Sequence, residues 1–257
     1  MQPQKQLSIL LLGETCEDVY LYGNVNRISP EAPVPIVEYS YEESFSGMAS
    51  NVKRNLEAFG CFVNLITNKE EIQKVRVVDK DSNHQLLRID HDVKVTPIRS
   101  SEVRAAFLHF NYDAIVVSDY NKGFLSTENL KVISENFDGP VFIDTKKKNL
   151  FTQANTYFKI NQKEYEGLET IPEDSQLIVT LGSQGAKYNG MIYPSHSVNV
   201  YDVVGAGDAF LSGLVYGCLT YGDMGSAISL ANKVASIVVQ HPGTYSLTSE
   251  DVSFLLS

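Results

Sequence analysis

Cysteine is scarce here: Cys16, Cys61 and Cys218 are the only three in 257 residues. Odd in number, far apart and set in apolar sequence, they exclude a disulfide framework and a cysteine zinc site, and read as reduced core residues. Basic runs are scarce too. Beyond Lys146-Lys147-Lys148 there is none, and a formal charge of −10 argues against a nucleic-acid or anionic-membrane partner. An anionic substrate then needs local basic residues or a metal ion. Long apolar runs are missing as well. Leu7 to Leu12, after Met-Gln-Pro-Gln-Lys-Gln, is too short to span a bilayer and has no small-residue cleavage site behind it, so it reads as the first strand of a cytoplasmic protein. A Walker P-loop, G-x-S-x-G, His-Glu-x-x-His and G-x-G-x-x-G are all absent, which removes P-loop kinases, serine hydrolases, zincins and ordinary dehydrogenases. No internal repeat, low-complexity tract or linker interrupts the chain.

What is present is a large apolar fraction, 43%, enough for one domain spanning residues 1–257. Leu7 to Leu12 and Phe62 to Thr67 read as buried strands. From Ser101 onward the pattern alternates: helix Glu102 to Phe110, strand Ala114 to Ser118, helix Thr127 to Phe137, strand Val141 to Asp144. That alternation predicts βαβ winding and a mainly parallel sheet, with Asp18, Asp119, Lys122 and Asp144 following strand ends at the edge where open α/β sheets bind ligands. Tyr22 to Tyr39 mixes short β-like runs with three prolines, which excludes a central strand and suggests an edge sheet or lid. Val75 to Val78 and Gln85 to Ile89 form a hairpin around Asp79 to His84. Asp79, Asp81, Asn83 and Asp90 imitate calcium-loop spacing, but His84 stands where that loop needs glycine, and helical flanks are absent.

The chemistry concentrates in Tyr201 to Tyr221, where a β-branched run stops at Gly205-Ala206-Gly207 and becomes an apolar helix. Backbone amides at such a turn approach an anion closely, and the helix dipole favours its charge. Asp208 beside a resident anion is repulsive, so the pairing makes sense if the anion is a phosphoryl group in transit and Asp208 takes the proton of the attacking hydroxyl. A glycine N-cap with an acidic first turn is the structural alternative. Arg27, Arg76 and Arg88 on the β-rich segments are candidates for clamping a phosphate bidentately, with exposed edge arginines as the alternative.

Asp202-Val-Val-Gly-Ala-Gly-Asp208 resembles the D-T-x-G-A-G-D signature of the ribokinase-like (PfkB) carbohydrate kinases. The resemblance implies a three-layer α/β/α sandwich with a small β lid, here about residues 22–45 and 74–91. It also implies Asp208 as catalytic base and Gly205, Ala206 and Gly207 as the oxyanion hole. Asn26 to Pro35 is similar to the R-I-S-P-E-A-P-V-P segment of one branch, the D-glycero-β-D-manno-heptose 7-phosphate kinases of lipopolysaccharide precursor synthesis. Gly13-Glu14-x-x-x-Asp18 and Asp119-Tyr-Asn-Lys122-Gly resemble that branch's G-D-x-x-x-D and S-D-Y-x-K-G. By resemblance, Asp18, Gly47 and Asn51 contact the sugar, and Lys146 of Asp144-Thr-Lys approaches phosphate. Asn161 and Glu164, as N-x-x-E, organise Mg²⁺ and the phosphates of ATP. Thr180, Gly182 and Gly185, as T-x-G-x-x-G, pass beneath the nucleotide, and Gly243-Thr244 lies beside adenine. A monovalent cation near Asp202 and a homodimer through the lid belong to the same expectation.

Two departures stand out. Ser46 replaces a signature glycine, and Asn68 to Lys74 bridges directly where relatives carry a further helix and strand. The reading is therefore an ATP-dependent kinase of a sugar phosphate, most simply the heptose 7-phosphate at its anomeric hydroxyl, without the nucleotidyltransferase domain that relatives often carry. Another PfkB-type sugar or nucleoside kinase, or a shortened nucleotide-binding homologue without turnover, are the alternatives.

Overall fold

The computed structural model describes residues 5–108 and 110–257. Residues 1–4, part of the N-terminus read as lacking an export leader, and His109, within the expected helix Glu102 to Phe110, lie outside the described residues.

Ordinary strand and helix chemistry builds two sheets. The larger takes β1 (Ser8–Gly13), β4 (Phe62–Ile66), β7 (Ala114–Asp119), β8 (Val141–Thr145), β9 (Thr156–Asn161), β10 (Leu177–Thr180), β11 (Ala186–Tyr188) and β12 (Met191–Tyr193), in the order β12-β11-β10-β9-β8-β7-β1-β4. β10 to β4 pair in parallel, and β11 and β12 add an antiparallel hairpin at one edge. Side-chain alternation makes the layers. Ile9, Leu11, Ala114 and Val116 face one cluster with α1 (Ala49–Ala58), α5 (Ala206–Tyr221) and α6 (Met224–Val238). Leu10, Leu12, Ile115 and Val117 face the other, with α2 (Ser100–Leu108) and α3 (Thr127–Asn136). Both faces are covered, as the near-continuous apolar strands demand. Each such fully buried aliphatic stabilises the fold by about 1.5–3 kcal/mol. Reciprocal Ser126–Asn129 and Thr248–Asp251 capping boxes start α3 and α7 (Ser249–Leu255).

The second sheet is the lid: β2 (Thr15–Ile28), β3 (Pro35–Met48), β5 (Gln73–Asp79) and β6 (Gln85–His91), ordered β3-β2-β5-β6. It corrects two expectations. β2 starts directly after β1, so Asp18 sits in a lid strand rather than a loop, and the lid strands begin well before residue 22. β2 is also an interior strand of this sheet. Pro30 and Pro33 fall in the turn and Pro35 opens the edge strand β3, positions where a missing donor is tolerated.

β4 is a third correction. Read as buried, it is the edge of the main sheet, with Phe62 56% exposed. The short connection is held by Asn68, which accepts from the Thr15 amide at 2.8 Å and donates to the Glu70 carbonyl at 2.6 Å.

Candidate active site

The C-terminal ends of β1, β7, β8, β9 and β10 form one rim, and the N-terminus of α5 lands on it. Gly205 caps that helix at φ +77°, left-handed backbone that favours glycine, and a Cβ there would stand 2.9 Å from Asn51 Nδ2. The first intrahelical bond runs from the Ala209 amide to the Gly205 carbonyl, so the amides of Gly207 and Asp208 precede the ladder.

Asp208 is 5% exposed. Its Oδ1 accepts from the Tyr120 hydroxyl at 2.8 Å and its Oδ2 from Asn51 Nδ2 at 3.2 Å. Asn51 is fixed in turn, since its Oδ1 accepts from Ser246 and Asn55. Burial pushes the Asp208 carboxyl up to about 6, against the hydrogen bonds from Tyr120 and Asn51 and the charge of Lys159, and with help from Asp144. Burial likewise drives the Tyr120 phenol well above its ordinary range, so it stays a donor. Lys146, exposed, sits 4.5 Å over the Tyr120 ring, and Lys74 sits 5.4 Å from its centre.

On the lid side, Asp18 and Arg76 form a buried ion pair at 2.6 Å, their side chains 5% and 6% exposed. Asp18 also accepts from the Thr244 hydroxyl at 3.2 Å, and Arg76 stacks 5.1 Å from the Tyr20 ring centre. Gly47 is glycine because Asp18 and Cys16 occupy the space of a Cβ. Thr244 also borders Gly205, so Asp18 and the helix turn share one neighbour. The other two arginines are not brought here. Arg27 lies exposed 3.7 Å from Glu38, and Arg88 pairs with Asp90 on the outer strand β6. The three-arginine clamp is thus not assembled: Arg76 is buried on the interior strand β5, Arg88 lies on the edge strand β6, and Arg27 near the exposed end of β2. Lys122 pairs with Asp92, and its amide, with those of Tyr120 and Phe124, is gathered by the buried Glu14 carboxylate.

On the far side of the α5 turn lies a cavity of about 340 Å³ lined by Thr180, Gly182, Gly185, residues His196 to Val198, Ala206, Gly207 and Val239. Asn161 and Glu164 stand just outside, Asn161 pairing in register with Thr180. The two make a reciprocal capping box on α4 (Gln162–Glu166), each bond 2.9 Å. Gly243 is not in the lining: its amide donates to Asp202 at 3.0 Å, and it packs on Tyr20. Among the described residues no three His, Cys, Asp or Glu side chains cluster as a metal centre. One carboxylate with phosphate oxygens and water is the usual way Mg²⁺ is held, and Glu164 with Asn161 fits that donor set.

Sequence reasoning gave no role to Lys159 or the strandless 195–200 segment, placed Thr244 beside adenine rather than at Asp18, and gave Tyr120 no role beyond its place in the Asp119-Tyr-Asn-Lys122-Gly motif. Lys159 carried a signal, being a charge inside the apolar run Tyr157 to Ile160. Tyr120 carried one as well, as the tyrosine of the segment resembling S-D-Y-x-K-G.

Residues 151–251 match the pfkB family carbohydrate kinase profile. The chain is 30% identical, over 95% of its length, to the bifunctional protein HldE of a Nitratiruptor species, and 28% identical over 97% to that of Hyphomonas neptunium. It spans 64% and 63% of those proteins, less than two thirds of either. Among solved structures it resembles ribokinase from Thermotoga maritima, with a TM-score of 0.67, 17% identity, and 97% and 99% of the two chains covered. It also resembles phosphofructokinase-2 from Escherichia coli in complex with potassium, with a TM-score of 0.70, 16% identity, and 98% and 99% covered. These two likenesses show the fold, the ribokinase-like sandwich.

Proposed function

We propose that the chain is a member of the pfkB family of carbohydrate kinases and that residues 1–257 act as one kinase unit. It transfers the γ-phosphoryl group of ATP to a sugar phosphate, with D-glycero-D-manno-heptose 7-phosphate phosphorylated at the anomeric hydroxyl. The observation that carries the reading is Asp208: a buried carboxylate poised near 6, between the lid's Asp18 and the cavity beside Gly207. Ionised at neutral pH, it accepts the proton of the attacking hydroxyl, while Tyr120 and Asn51 hold its two oxygens in place. The first-turn amides of α5 face the charge that develops on the transferring group. Glu164 and Asn161 would hold Mg²⁺, which supplies neutralisation of the triphosphate. Arg76, Lys74 and Lys146 are the basic groups placed for the acceptor's own phosphate.

ATP consumption over a panel of phosphorylated and free sugars, with product position read by phosphorus NMR, tests this. Turnover should be best with a heptose 7-phosphate. Free heptose or ribose outperforming every sugar phosphate would overturn it. A different sugar or nucleoside acceptor is the second reading, favoured by the short 67–72 connection beside the lid.

The reading extends to a homodimer through the lid, whose Ile28, Tyr39, Leu87 and Ile89 are exposed. Light scattering at micromolar concentration checks it. A monovalent cation beside Asp202, whose carboxylate joins the Val204 and Gly243 amides at 3.0 Å each, is tested by replacing potassium with tetramethylammonium. No helix among the described residues is long and apolar enough to cross a membrane, and a cytoplasmic site of action is part of the reading.

A further inference from the structure

Lys159, on β9, is 5% exposed, and the structure gives it a single hydrogen bond among the described residues, to Asp144 Oδ2 at 2.6 Å. An ammonium has three donors, so two are unspent in a place that water barely reaches. Asp144 meets it as an ion pair, the lysine side chain 6% and the aspartate 17% exposed. Its position is unusual. Nζ stands 3.0 Å from where a Cβ on Gly207 would lie, against the first turn of α5. That is the positive end of a helix, which disfavours a cation and favours an anion, and Asp144 answers only one of the three ammonium donors. The cavity that receives the nucleotide in the reading above is lined by that same Gly207.

We propose that Lys159 is a catalytic residue: its ammonium and the Gly207 and Asp208 amides converge on one anion, the transferring γ-phosphoryl group. Asp144 is the positioning residue that holds the ammonium at the turn. The bond from the γ-phosphorus to the ADP oxygen breaks as the bond to the sugar oxygen forms. The hydroxyl proton goes to Asp208, and Lys159 remains protonated throughout. The side chain carries charge relief, not the proton. This rests on the kinase reading, but it predicts something that reading does not: discrimination between ATP and AMP by one lysine.

The test is calorimetric binding of ATP and of AMP, each with Mg²⁺ and no sugar, to wild type, Lys159→Met and Lys159→Arg, beside kcat on the best sugar and the melting temperature. Lys159→Met should weaken ATP by about tenfold, leave AMP unchanged, and lower kcat by roughly 10²–10³, the worth of one preorganised donor. Lys159→Arg should keep the preference for ATP. Equal weakening of ATP and AMP, or an unchanged ATP affinity and kcat in Lys159→Met, overturns the proposal. If Lys159→Met does not fold, Lys159→Gln takes its place under the same criteria. A wild type that consumes no ATP on any sugar refutes the kinase reading separately, and the ATP-to-AMP comparison still decides whether Lys159 meets the terminal phosphate.

Discussion

Arg76 and Arg88 stand directly opposite each other on β5 and β6, yet they occupy different media. Arg76 is sealed against Asp18 with 6% of its side chain exposed; Arg88 reaches Asp90 with 49% exposed. The distances are alike, 2.6 and 2.8 Å. In water such a pair contributes little, whereas a sealed pair is destabilised strongly when one member is lost, since the other charge has no solvent to fall back on. The same contrast separates the two sheets. The rim of the main sheet holds Asp208, Asp119, Glu14 and Lys159 buried, while the outer strands of the lid carry their charges in solvent. Burial, more than residue type, marks where charge is being used.

The sharpest way to break this comparison is Asp208→Asn. If the buried carboxylate is the base, kcat should fall by roughly 10²–10⁴ with ATP still bound. Calorimetry and steady-state rates on one preparation decide it, and an unchanged kcat in an active wild type would sink the assignment.

Next come the two arginine pairs. Asp18→Ala or Arg76→Met should destabilise the fold by about 3–5 kcal/mol in urea titrations, and Arg88→Ala by less than about 1. Equal losses would mean that the lid is not closed on Asp18 in solution.

A smaller effect has the less familiar sign. The Asp208 carboxyl is raised in the fold from its ordinary 3.8 to about 6, so its contribution to stability is full below pH 3.8 and is lost as pH rises through 6. At pH 8 Asp208→Asn should therefore melt higher than wild type, on the order of 1–3 kcal/mol, with the advantage vanishing at low pH. The same titration should give kcat/KM an acid limb near 6, falling about tenfold per pH unit below it. Differential scanning at pH 4.5 and 8 checks the first, and a pH–rate profile the second.

Least affected should be Arg27→Ala. Its loose contact with Glu38 is worth within about 0.5 kcal/mol, and KM for a sugar phosphate should not move, whereas Arg76→Met should raise it. A KM that rises as much for Arg27→Ala as for Arg76→Met would restore the clamp the structure does not assemble.

Much of the fold was legible because a parallel strand buried on both faces has to be apolar throughout: Ile9 to Leu12 and Ile115 to Val117 announce themselves. The glycine turn at Gly205 was legible for an equally local reason, backbone that few other residues adopt. The lid was half legible. Its prolines were rightly read as incompatible with a central position, but they sit in a turn and at an edge, and β2 ends at Ile28 before reaching them. Gly243 and the arginine clamp were misplaced because which segment reaches which depends on tertiary contacts, Arg76 with Asp18 and Gly243 with Asp202 and Tyr20.

By itself, then, the sequence determined the layer pattern, the parallel winding and the helix turn with its acid, all set by side-chain periodicity and backbone sterics over a few residues. Only the tertiary structure decided that Tyr120 and Asn51 would hold Asp208, that Arg76 rather than Arg27 or Arg88 would be sealed, and that Lys159 would meet the turn. Solvent exclusion is a property of the assembled fold, and it is exclusion from water that turns an ordinary aspartate, arginine or lysine into one whose charge must be answered.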